Sequence, residues 1–303
     1  VWDRGLTYTL EPGSDVRRAN REFDVRIRTN SLGVRDDEAS LTAPEVIVLG
    51  DSFAMGFGVE QDESFPQQVE KMTGMRVLNA GIESYGTARE VLLAQRMETS
   101  NVKFLVVQYC PNDLPENASF LLGHGRPETL DREAFDSTLD AYLEARHYYP
   151  GKYLRFLASQ AGRPAIDSFS PVELEEKNRA HAEAFLYALS RVAGRLHDAN
   201  IIVVDLVDKQ ASYRLGLEPD YRSDLFRAEL ARLSRKTQYR ESIRKMAIPD
   251  TGSVVDEGDR FILDGHLNAR GHRKVAELVT AAIRTLQAER QDAHAGAPAA
   301  AQQ

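Results

Sequence analysis

The chain of 303 residues contains one cysteine, Cys110, so no disulfide can form within it. That leaves the compartment open, because domains of oxidising spaces also fold without disulfides. No apolar run approaches the roughly 18–20 residues that cross a bilayer, so no membrane span is expected in this chain. Positive charge is in deficit: 38 Lys and Arg stand against 46 Asp and Glu. The formal charge of −8 repels a phosphate backbone, and nucleic acid is not an expected partner. Gly56-Phe57-Gly58 lacks the third glycine of a dinucleotide fingerprint, so nucleotide binding is not expected either. No internal repeat is present. An initiating Met is also missing: the chain starts at Val1, and the expectation is that a signal peptide or N-terminal anchor lay upstream.

What is present is the composition of a globular protein, 42% hydrophobic and 28% charged, long enough to bury a large core. Residues 1–44 are polar and irregular and read as an N-terminal extension packing on the core. Within them Phe23–Thr29 alternates apolar and polar, which predicts a half-exposed strand, and Asn30-Ser31-Leu32-Gly33 reads as a turn. Short apolar runs at 45–50, 76–79, 102–109 and 201–204 predict buried strands, with Arg260–Leu263 as a short fifth. Helical spacing predicts helices over Ser64–Met72, Thr87–Glu98 with Thr87 as N-cap, Glu173–His197 and Gly271–Leu286. Apolar strands alternating with helices imply a mostly parallel five-stranded sheet covered on both faces, an α/β fold. Segments 115–172 and 208–250 interrupt the alternation and read as helical insertions into a domain spanning 45–287. Residues 288–303 read as a low-complexity, disordered tail.

The strand of residues 45–50 runs straight into Gly50-Asp51-Ser52. A buried strand that stops at a serine holds a hydroxyl at the rim of a sheet, beside the backbone N–H groups of the next turn. Asn79-Ala80-Gly81 follows the second strand, Pro111-Asn112-Asp113 the third, and Asp264-Gly265-His266 precedes the last helix. In a doubly wound sheet the C-terminal strand ends converge on one edge, where ligands bind. Acyl transfer needs a nucleophile, a base, a group that orients the base, and donors for an oxyanion. Candidates for all four are therefore directed to one place.

These blocks resemble those of the SGNH hydrolase superfamily, the GDSL esterases and lipases. Its four signature residues match Ser52 in Leu49-Gly50-Asp51-Ser52, Gly81, Asn112 and His266, in the family's order, and Gly271-His272 fits its habit at the last helix. The resemblance covers the core of the chain and not its insertions. It implies a flavodoxin-like three-layer α/β/α sandwich with no metal or organic cofactor. It also implies Ser52 as nucleophile, His266 as general base and acid, Asp264 as the orienting carboxylate, and an oxyanion hole of the Ser52 and Gly81 N–H groups with the Asn112 amide. Two departures stand out. The spacing Asp264-x-His266 is one residue shorter than the common one, and Cys110-Pro111 replaces the usual glycine before Asn112, stiffening that approach. Thr29–Asp36 is similar to a preamble in bacterial envelope members, including proteins linked to polysaccharide O-acetylation, so periplasm or cell envelope is the expected location.

Each residue also has a plainer reading. Ser52 could be a turn serine capping the next helix, Gly81 a turn glycine needing positive φ, Asn112 a helix cap or Asx-turn, and His266 a surface-loop histidine. Asp51, Asp113 and Asp259 are alternatives to Asp264. His272 reads as a packing residue and Cys110 as a small buried hydrophobe. Asn117-Ala118-Ser119 matches a glycosylation sequon by chance, and the Arg residues between 222 and 244 read as a solvated face. The five aromatics Tyr142, Tyr148, Tyr149, Tyr153 and Phe156 read as the core of the insertion or as a sugar- or acyl-binding groove. The leading expectation is a serine esterase acting on a short O-acyl ester, such as acetyl, of a carbohydrate or small metabolite. An O-acetyltransferase with the same triad and a non-catalytic carbohydrate-binding module on the same fold are the alternatives.

Overall fold

The computed structural model describes residues 1–146, 151, 169–196, 199–207, 221–240, 243 and 245–295. Tyr148, Tyr149, Tyr153, Phe156, Arg244 and the tail from 296 lie outside the described residues, as does most of 147–168 and all of 208–220. The chain opens with two small antiparallel pairs. Strands β1 (Trp2–Asp3) and β2 (Thr7–Tyr8) form the first, and β3 (Asp15–Ala19) and β4 (Asp24–Arg28) the second. In β4 Val25 and Ile27 are buried while their neighbours are exposed, the period of two expected of a half-covered strand.

The central sheet holds β5 (Val46–Leu49), β6 (Val77–Asn79), β7 (Phe104–Tyr109), β8 (Asn200–Asp205) and β9 (Met246–Ala247). All its pairs are parallel and the order is β6-β5-β7-β8-β9. The first four strands are buried at every position, so successive side chains enter two separate cores. Ile47, Leu49, Leu105, Val107, Ile201 and Val203 face one core. Val46, Val48, Phe104, Val106, Ile202 and Val204 face the other.

The helices are α1 (Ser52–Met55), α2 (Phe65–Thr73), α3 (Thr87–Ala94), α4 (Leu114–Leu122), α5 (Arg132–Arg146), α6 (Pro171–Ala193), α7 (Ser223–Leu233), α8 (Thr237–Arg240) and α9 (Ala269–Ala295). Residues of α3, α6 and α7 fill the first core, and residues of α2 and α9 the second. The result is a three-layer α/β/α sandwich whose strand order is flavodoxin-like. That order reverses between β5 and β7, and a crevice at their C-terminal ends is where such sheets bind ligands.

The fifth strand lies elsewhere than the apolar run at 260–263 suggests. It is β9, a two-residue edge strand paired with Ile201 and Ile202 of β8. Arg260 forms only a single antiparallel bridge to Leu267, and Ile262 and Leu263 are exposed at the loop tip. Helix α3 starts at Thr87 with Gly86 in the capping position, because the Thr87 hydroxyl donates to Asp113 Oδ2 (2.8 Å) instead of capping its own helix. It ends at Ala94, four residues short of Glu98. Helix α6 begins at Pro171 behind a Ser170/Glu173 capping box and ends at Ala193. Helix α9 runs on to Ala295, into the expected tail, since Ala288, Glu289, Arg290 and Gln291 are strong helix formers.

Candidate active site

Strand β5 delivers the chain to a turn that is fixed from three sides. Gly50 has φ 157°, and a Cβ there would overlap Ala54 and Gln108. The Asp51 carboxylate accepts the Phe53 N–H (2.9 Å) and so caps α1. Gln108, the one amide in apolar β7, accepts the N–H groups of Asp51 (3.0 Å) and Ala54 (3.3 Å) through Oε1. Gly56, at φ 82°, ends the single helical turn. Ser52 is its first residue, and the Ser52 N–H meets no acceptor among the described residues.

Ser52 Oγ lies 2.7 Å from His266 Nε2, and His266 Nδ1 is hydrogen-bonded to Asp264 Oδ1. The short Asp-x-His spacing works because Gly265 adopts φ 89°, folding both side chains to one side of the loop. The loop is closed by Phe261 N–H donating to His266 O (2.9 Å) and by Arg260 donating to Gly265 O (3.0 Å). The rings of Phe57 and Phe53 back the imidazole at centroid distances of 4.5 and 5.0 Å. Half-burial works to raise the Asp264 pKa, but the hydrogen bond and charge of His266 hold it below the usual carboxylate range. An ionised Asp264 fixes the proton on Nδ1 and leaves Nε2 to accept from the serine hydroxyl.

Gly81 follows β6, and its requirement is not positive φ. A Cβ there would overlap the Met55 nitrogen and the Ala54 carbonyl carbon, so the turn abuts α1 directly. Its N–H donates to Asn79 Oδ1 (3.1 Å); it can serve an oxyanion only by sharing or releasing that bond. Asn112 sits in a 3₁₀ turn over Pro111–Asp113 after β7, exposed, with no side-chain hydrogen bond among the described residues. Ser52, Gly81 and Asn112 thus follow three adjacent strands at the crevice, with two unengaged donors and one engaged.

The alternatives to Asp264 are occupied elsewhere. Asp51 caps α1, and Asp259 is buried against Arg270 and Lys274. Asp113 accepts from Thr87 and lies in a buried acidic group with Glu90, whose two oxygens find no hydrogen-bond partner among the described residues. Burial pushes the pKa values of Glu90 and Asp113 well up, with like charge as the second cause. His272 is buried and accepts from Phe65 N–H (3.2 Å); burial lowers its pKa to about 3, so it packs as a neutral ring. Cys110 is buried and forms no disulfide. Asn117 is fully buried and accepts from Ala88 N–H (2.8 Å), which closes the sequon to any glycan. Sequence reasoning missed Gln108, Phe57 and the floor formed by Glu90. Only Gln108 carried a signal, as a polar residue inside an apolar strand.

No family model matches the sequence, and no curated protein matches it. Solved structures do match. A lipolytic protein of the G-D-S-L family from Veillonella parvula is 11% identical, with 79% of this chain and 97% of that one covered and a TM-score of 0.44. A G-D-S-L family protein from Desulfitobacterium hafniense is 12% identical over 78% of this chain and 97% of its own, with a TM-score of 0.39. A carbohydrate esterase family 2 enzyme with a carbohydrate-binding domain, from Corynascus thermopiles, is 13% identical over 79% of this chain and 65% of its own, with a TM-score of 0.46.

Proposed function

We propose that this protein is a serine esterase that cleaves a short O-acyl ester, such as an acetyl ester of a carbohydrate or small metabolite, through an acyl-enzyme. The observation that carries the reading is the unbroken relay Asp264–His266–Ser52, assembled from residues up to 214 positions apart. Nothing in the packing of a turn serine requires its hydroxyl to meet an imidazole already oriented by a carboxylate.

In this reading His266 Nε2 takes the Ser52 proton as Oγ attacks the carbonyl carbon. Asp264 stabilises the imidazolium that forms. The oxyanion receives the Ser52 N–H and the Asn112 amide, and Gly81 N–H as Asn79 yields it. Each such donor is worth about 3 kcal/mol in the transition state. The imidazolium then protonates the departing alkoxide, and the alcohol leaves. Water, deprotonated by His266, attacks the acyl-enzyme and releases the acid and free Ser52. The test is turnover of p-nitrophenyl acetate by wild type and by Ser52→Ala. The expected loss is at least about 10³-fold. Equal turnover by the variant, or a folded wild type that neither turns over ester nor reacts at Ser52 with a serine-directed probe, sinks the reading. If an added oligosaccharide speeds donor consumption and leaves with the acyl group, the reaction is transfer and not hydrolysis.

A further inference from the structure

The relay and the nucleophile turn are gripped from outside the sheet, by a part of the chain that supplies no reacting group. At the tip of the β3–β4 hairpin, Asn20 Oδ1 accepts the N–H groups of Glu22 (2.7 Å) and Phe23 (3.0 Å), which fixes the turn. Glu22 is thereby aimed at the histidine loop. Its carboxylate accepts the Leu263 N–H at 3.0 Å and the Asp264 N–H at 2.9 Å. The second of these is the backbone of the relay carboxylate itself. Phe23 packs edge-on against Phe57 at 5.3 Å and tilted against Phe261 at 5.4 Å, joining the ring behind the imidazole to the loop that bears it. Gly58 leaves room for this, since a Cβ there would overlap both Phe23 and Phe261.

Thirteen residues on, Arg35 does the same for the other half of the site. It is wholly buried, and its guanidinium donates to four carbonyl oxygens: Gly56 (2.5 Å), Val59 (2.8 Å), Arg26 (2.9 Å) and Met55 (3.3 Å). Met55 is the last residue of α1, and Gly56 and Val59 belong to the loop that leaves it and carries Phe57. A buried Arg without a bonded carboxylate costs desolvation, which brings its pKa down to about 10; irregular backbone carbonyls are what compensates it here. Asp36 continues the grip, accepting Asn79 N–H at 2.7 Å beside Gly81.

We propose that Glu22 and Arg35 are positioning residues of the catalytic apparatus. Glu22 holds the Asp264 end of the relay, and Arg35 holds the turn that carries Ser52 and the aromatic backing of His266. The proposal rests on the esterase reading for its kinetic consequence and on the hydrogen-bond geometry alone for its structural one. Both ends of a proton relay must stay within hydrogen-bond reach through the whole cycle, and a displacement of about 1 Å costs up to about 100-fold in rate.

The experiment compares wild type with Glu22→Ala and Glu22→Gln in p-nitrophenyl acetate kinetics, thermal unfolding and the NMR titration of the His266 ring protons, assigned with His266→Asn. Glu22 is part-exposed, so its removal is expected to leave the fold intact; Arg35→Lys is the second variant, and a folded Arg35→Lys with wild-type kcat overturns the Arg35 half of the proposal. Glu22→Ala is expected to lower kcat about 10-fold or more with KM within about twofold and an unchanged Tm, and Glu22→Gln to fall between. Both variants remove the Glu22 charge and only Glu22→Ala removes the acceptor of the Asp264 N–H, so the His266 titration is expected to move to lower pH further in Glu22→Ala than in Glu22→Gln, with Arg18 the other charge acting on Asp264. A wild-type kcat together with an unmoved His266 titration in Glu22→Ala overturns the proposal. Should the wild type prove inactive and Ser52 unreactive, the esterase reading fails, and the titration alone still decides whether Glu22 positions the relay.

Discussion

Asp264 and Glu90 are two carboxyls whose surroundings drive them to opposite states. Asp264 is half-buried and bonded to His266, which holds it in the ionised form despite the cost of burial. Glu90 is wholly buried beside Asp113 and Asp51, with both oxygens unpartnered, and burial drives it toward the neutral acid. No ion pair reaches Glu90 or Asp113 among the described residues. The same functional group is thus placed once where its charge has a task and once where only its neutral shape is tolerated. Asp259 shows what a counter-group does: shielded from solvent but close to the surface, it stays charged between Arg270 and Lys274.

The strongest way to sharpen the contrast is Asp264→Asn, which keeps the shape and removes the charge. The expected loss in kcat is about 10³–10⁴-fold, because the imidazole is then held in the wrong tautomer. Thermal unfolding should change little, since asparagine keeps the shape of a side chain that is only partly buried. A loss below tenfold would show that another carboxylate serves His266. Next in size is Asn112→Ala, on the turn between the two regions. It should cost about 10²-fold in kcat and leave Tm where it was, because the side chain is exposed and makes no bond to the fold. A Tm that falls with kcat would make Asn112 a structural cap.

The mildest test is Glu90→Gln, with turnover retained. A folded-state pKa above that of the unfolded chain means that the folded protein binds more protons over the interval between the two. Stability is therefore complete below the unfolded value and falls as pH rises through the folded one. Glutamine cannot ionise, and its amide can donate to the unpartnered Asp113 Oδ1. The variant should match wild type in Tm at pH 5 and exceed it at pH 9, by about 2–4 °C for each kcal/mol removed. Parallel Tm–pH curves for the two proteins would mean that Glu90 carries its charge after all.

The central strands were legible because their apolar runs are unbroken, and a strand buried on both faces has no other way to be written. The meeting of Ser52, Asp264 and His266 was legible because the strand order sends distant blocks to one edge. Strand β9 was not, since two residues of edge pairing leave no periodicity to read. Arg260–Leu263 misled in the other direction: Phe261 packs on Phe23, while Ile262 and Leu263 are the exposed tip of a loop whose shape is set by Gly265. For Gly81 only the plainer alternative of a positive φ fails, because close approach of another backbone leaves no mark in a single sequence. Glu22 and Arg35 were invisible for the same cause. Their partners are main-chain atoms, and a backbone N–H or carbonyl looks alike at every position.

The hydrogen bonds from Leu263 and Asp264 to Glu22 span 241 and 242 residues. Joining points so far apart costs loop-closure entropy that only the finished core can offset, so this contact belongs among the last to form. A chain emerging from the ribosome therefore carries Ser52 long before Asp264 and His266 can reach it. The hydrogen bond between Ser52 and His266 closes only after residues 214 positions apart have been brought together.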